Sequence, residues 1–130
     1  MTMYQAVGLN LKIKMFEKLA HDTYRRKPFV TNVGPYLVQH MHDNNNGDAV
    51  FTAFHHYHCK GNISPMCDKA VDDLIEKAQV ALGEERRNLW RAAFKRIHEE
   101  IIPDVMLFHM VGYSRVGKRI NFKPSIATVN

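Results

Sequence analysis

Two helical apolar stripes lie back to back between Cys67 and Phe108, and they limit what the rest of the chain can be. Val71, Leu74, Ile75, Ala78 and Leu82 recur at the i, i+3, i+4, i+7 spacing of one buried helix face. Leu89, Trp90, Ala93, Phe94, Ile97 and Ile101 repeat the pattern in the next segment. Asp68 is placed to cap the first helix, and Asp72 and Asp73 sit near its positive end. Gly83 reads as the stop of the first helix, Glu84 and Glu85 as the opening of the second, and Pro103 as its close. Such stripes need a surface to pack against, and the flanking segments are expected to supply it as strands.

Leu9, Leu11, Ile13 and Met15 alternate with Asn10, Lys12 and Lys14, which predicts a half-buried strand over Leu9–Phe16. Tyr36–Met41 and Val105–Val111 read as two further strands. Tyr4–Val7 reads as the end of a helix stopped at Gly8, so the chain is expected to begin in the middle of a larger fold. Glu17–Lys27 predicts a helix with Leu19, Ala20 and Tyr24 inward, ended by Pro28. Asp48 is expected to cap a short helix over Ala49–Tyr57, entered through the polar loop His42–Asp48. Strand, helix, strand, helix pair, strand suggests an α/β fold, a single domain over residues 1–130.

Apolar residues make up 45% of the 130 and charged residues 24%, the balance of an ordinary globular domain. No apolar run approaches the roughly 18 residues of a membrane span, and the N-terminus lacks the layout of a secretory signal. A net charge of +5 raises nucleic acid as a partner, through the stripe Arg87, Arg91, Lys95 and the cluster Arg115, Lys118, Arg119, Lys123. Glu99 and Glu100 follow one turn beyond Lys95 and Arg96, and no exposed aromatics for stacking are evident. A solvated face is the simpler reading, and no nucleic-acid partner is expected. Ser64, Ser114 and Ser125 lack nucleophile-elbow contexts, no glycine-rich phosphate loop occurs, and Asp72, Asp73, Glu76, Glu84 and Glu85 fall on helix faces. The expected class is binding, not enzymatic, with no cofactor.

The middle of the chain is rich in metal-ligating side chains. His40 and His42 are two apart; His55, His56, His58 and Cys59 form HHYHC; Cys67 follows. Imidazole and thiolate are the donors zinc, nickel and copper prefer. The spacings fit no common structural zinc pattern, so loop or surface histidines are the favoured reading. A metal module on His40, His42, His55, His56, His58 and Cys59 is the alternative. Cys59 and Cys67 either form one bridge in an oxidising compartment or stay free thiols.

Asp68, Val71, Asp72, Leu74, Ile75 and Ala78, then Glu85, Arg87, Leu89 and Trp90, then Ile97, Glu100, Ile102, Pro103 and Phe108 form an ordered pattern. With AVGLNLKIKMF before it and Ile120, Phe122 and Pro124 after it, this pattern resembles the family 5 extracellular solute-binding proteins. Those are the peptide-, nickel- and oligosaccharide-binding components of ABC importers. The resemblance covers roughly residues 5 to 125 and matches the C-terminal portion only. It implies a fragment: the C-terminal lobe portion of a type II periplasmic-binding-protein-like fold, supplying one wall of an interlobe cleft.

The resemblance further implies a periplasmic or extracytoplasmic setting, peptide as the likeliest solute and a membrane permease as partner. An isolated lobe would leave apolar surface for a homodimer. Asp43 matches the family acid that pairs with a peptide's α-ammonium, and His40 stands where the family often has tryptophan. His40, His42, Asp43, Asn44 and Asn45 are the candidate ligand-binding residues.

Overall fold

The computed structural model describes residues 2–39, 42, 47–108, 113 and 115–122. The regular elements are helices: α1 (Thr2–Ala6), α2 (Lys18–Arg25), α3 (Ala49–Tyr57), α4 (Lys69–Val80) and α5 (Gly83–Arg96), which continues as a wider π turn over Ile97–Ile101. Among the described residues there is no strand, which overturns the α/β expectation and with it the periplasmic-binding-protein-like lobe. The reason is physical. Alternation prepares a segment for a sheet, but a strand exists only when its backbone groups find a neighbouring strand. Leu9–Phe16 stays irregular, with Leu9, Ile13 and Met15 exposed, and so do Val105–Phe108, whose side chains are all exposed. Residues 36–39 of the second expected strand are also irregular; His40, Met41 and residues 109–111 lie outside the described residues.

The chain divides into two units, residues 1–38 and 39–130. In the first, α1 closes as expected at Gly8, which takes φ +82° and donates its N–H to the Gln5 carbonyl at 3.0 Å. On α2 the inward stripe is narrower than expected, because Leu19 is 83% exposed and Ala20 is exposed too. Tyr24 is the anchor: its ring packs on Phe16 and meets Tyr36 edge-on, while the Tyr36 hydroxyl donates to the Tyr24 carbonyl.

The second unit holds the core. Ala53 and Tyr57 from α3, Val71, Ile75 and Ala78 from α4, Trp90 from α5 and Ile97 from the π turn form one buried cluster. Leu89, Phe94, Ile101, Val50 and Met66 pack on its edge. The stripes of α4 and α5 therefore pack on each other and on α3, instead of on strands. Full burial of an Ile or Val side chain stabilises by about 1.5–3 kcal/mol, so Ile75 and Val71 carry much of this small core.

Two boundaries moved. The first helix ends at Val80, and Leu82, expected in its stripe, is 81% exposed. Gly83, at φ +58°, opens α5 instead of closing α4. At the far end Ile102 adopts φ 51°, its N–H bonding the Ile97 carbonyl at 2.8 Å, and Pro103 prevents any continuation.

The loop between α3 and α4 is closed by a Cys59–Cys67 disulfide. Inside it Gly61 donates to the His58 carbonyl at 2.8 Å, and fully buried Ser64 donates its hydroxyl to the Met66 carbonyl. Gly61 lies so close to the end of α3 that an added Cβ would sit 2.3 Å from the Phe54 carbonyl oxygen. Backbone is on the other side of that contact, so it has little room to yield. Gly61→Ala is expected to destabilise by about 2 kcal/mol or more, read as a lower urea midpoint at unchanged m-value. A wild-type midpoint would show that the loop stands clear of α3.

Candidate functional site

The sequence points to one polar loop, ending at Asp48. Of its candidate residues, His40, Asp43, Asn44 and Asn45 lie outside the described residues and His42 is described, as is the expected cap Asp48. Asp48 is the expected N-cap: its carboxylate accepts from the Val50 N–H at 2.9 Å. Both oxygens of the same carboxylate accept from a single Arg86 nitrogen, Nη2, at 2.8 and 2.7 Å. Arg86 also donates to the Ala78 and Gln79 carbonyls at the end of α4, and its guanidinium lies over the Trp90 ring. One side chain thus joins the start of α3, the end of α4 and the core face of α5. With Nη2 on the carboxylate and Nη1 on the carbonyls that end α4, the planar guanidinium has its orientation fixed from two sides.

Asp68 likewise caps and pairs, here with a true fork, since Arg96 presents Nε and Nη2 to its two oxygens. It caps α4 by accepting from the Val71 N–H at 3.0 Å, and it receives Arg96 at 3.1 and 2.8 Å. Arg96 in addition pairs with Glu100 one turn on. Hydrogen bonding from Arg96, then from the Val71 amide, holds the Asp68 carboxyl down at about 2. The Val50 amide first, and then Arg86, hold Asp48 below its ordinary value.

His42 is seated on α3. Its Nε2 lies 2.7 Å from the Thr52 hydroxyl, its ring stacks on Phe51, and it meets the edge of His56 at 4.3 Å. The loop is therefore pinned to α3 at His42 and to the rest of the unit at Asp48.

The histidines of HHYHC point in different directions. His55 turns to Asn62 and Phe51, His56 is buried beside His42, and His58 is 1% exposed and turned toward α4. Cys59 is consumed by its bridge to Cys67 and offers no thiolate. Among the described residues no group of three or more His, Cys, Asp or Glu side chains could hold a metal ion.

Three residues organise this region through partners that the sequence reading did not assign: Arg86, Arg96 and Asp72. Asp72 reads there as a solvated acid, yet it is 3% exposed and accepts from the Cys59 N–H at 2.9 Å. A signal for the arginines existed. Arg86 lies four residues before Trp90 and Arg96 three after Ala93, on the buried side of α5 and off the exposed stripe of Arg87, Arg91 and Lys95. A cation at the margin of an apolar face points to a fixed partner.

The chain matches no family model, no curated protein and no solved structure.

A carboxyl held low when folded stabilises the fold fully above its unfolded value, near 3.8, and the contribution drains away as pH falls through the folded value. Stability is therefore expected to fall between about pH 4 and pH 2, in chemical denaturation at stepped pH. Asp68→Asn should flatten that slope. An equally steep slope in the variant would remove Asp68 as its source.

Proposed function

We propose that this chain serves an extracytoplasmic solute-binding component of an ABC importer, displaying the His40–Asp48 loop as one wall of a cleft for peptides or similar small solutes. The observation that carries the reading is the Asp48–Arg86 clamp. It ties the end of a loop rich in amide and carboxylate groups to a rigid helical unit, and polar ligands are best held by groups displayed from rigid elements.

Other features support it. Many of the residues on which the family resemblance rests have structural work here: Asp68 caps, Asp72 holds the disulfide loop, and Val71, Ile75, Ala78, Trp90 and Ile97 make the core. A Cys59–Cys67 bridge suits an oxidising, extracytoplasmic compartment. Val105, Met106, Leu107 and Phe108 leave apolar surface through which a second chain, or a second copy of this one, would dock. In this reading Asp43 pairs with a peptide's α-ammonium, the neighbouring asparagines bond its backbone, and a permease is the membrane partner.

With one wall only, affinity should be weak. In an NMR titration of the isotope-labelled chain with short peptides at millimolar concentration, shifts are expected along residues 42–48, and Asp43→Ala should abolish them. N-acetylated peptides, which lack the ammonium, should bind less. Shifts centred elsewhere, or none at any concentration reached, would contradict the assignment.

A further inference from the structure

We infer that His58 and the disulfide loop form a proton-sensitive latch, in which protonation of the buried imidazole releases the Lys60 amide and shifts the Lys60–Ile63 turn while the helices and the buried Ser64–Met66 end of the loop stay in place. The tautomer follows from geometry alone. Lys60 donates its backbone N–H to His58 Nδ1 at 3.0 Å, and a backbone amide can only donate, so Nδ1 carries no proton. The ring's proton is then on Nε2, directed at Glu76 Oε1 at 3.2 Å, with Asp72 Oδ1 3.8 Å away. The closed loop thus contains a neutral imidazole.

The groups around the ring set the conflict. From α4 it faces the carboxylates of Asp72 and Glu76, the first buried and the second half exposed. From α3 it lies against the face of Phe54, 4.6 Å between centroids. From the loop it meets the Lys60 amide, and the adjacent Cys59 is in the disulfide and does not titrate. A second proton would place a full positive charge beside the two carboxylates. It cannot be accommodated at Nδ1, where two N–H groups would then point at each other. Protonation therefore trades the Lys60 bond for a stronger pairing on α4, and the amide must turn away.

The surroundings confine the result. Cys59 is held to Asp72 through its own N–H, and the bridge to Cys67 fixes both ends of the loop. Half-exposed Glu76 gives protons a route to the ring from solvent.

The test is an NMR pH titration of the full chain, oxidised, with labelled histidine rings and backbone amides, from about pH 8 to pH 5. The Lys60 amide is expected to move with the same midpoint as the His58 ring, followed by Gly61 and Ile63, while amides within α4 and α5 hold their positions. Glu76→Gln, at a half-exposed site, should carry both midpoints together to lower pH. A Lys60 amide that ignores the His58 titration overturns the latch. So does a His58 ring that titrates only as the whole unit unfolds, or a Glu76→Gln midpoint that stays in place.

Discussion

Arg86 and Arg96 both project from α5, and each grips a carboxylate that is already capping another helix. Asp48 and Asp68 thereby do two things at once. Each satisfies an orphan amide at the start of its helix, and each fixes that start against α5. The buried cluster between the three helices is small, with Ile75 and Val71 the largest apolar side chains fully enclosed. A core of this size defines helix positions only loosely, since apolar contacts are non-directional. The two arginine–carboxylate pairs add direction, tying the start of α3 and the start of α4 each to α5.

The disulfide loop contributes the second constraint. It begins at the end of α3 and ends one residue before the Asp68 cap, so its closure sets the distance between those helices. Inside it nearly every polar group has work: Asp72 receives Cys59, His58 receives Lys60, Ser64 reaches Met66. Gly61 is required because α3 leaves no space for a Cβ. A loop packed this closely behaves as part of the core, which is why a single proton on His58 can matter to it.

Much of the second unit was legible in the sequence. The caps at Asp48 and Asp68, the stripes on α4 and α5, and the stop at Pro103 follow from local rules that act over a few residues. The sheet did not follow, because alternation in Leu9–Phe16 reports a segment's readiness to pair and says nothing of whether a partner is present. Leu82 failed for a related reason: periodicity carried it into a stripe, but the helix had already ended at Val80. The functions of Arg86, Arg96 and Asp72 depend on partners 13 to 38 residues away, beyond any local pattern. The loop is legible as polar, and its attachment through Asp48 is visible only in three dimensions. That attachment gives the proposed solute-binding role its physical basis, since it fixes the residue at which the chain enters α3.

The central claim is that α5 holds the cap of α3 by the Asp48–Arg86 pair, and a double-mutant cycle tests it most directly. Unfolding free energies would be measured for the wild type, Asp48→Asn, Arg86→Met and the double variant in the oxidised chain. A favourable coupling of about 1 kcal/mol is predicted for this partly exposed ion pair, with the double variant losing less than the sum of the two single losses. Strictly additive losses would mean that the two side chains meet without holding the helices, and the account built on that clamp would fail.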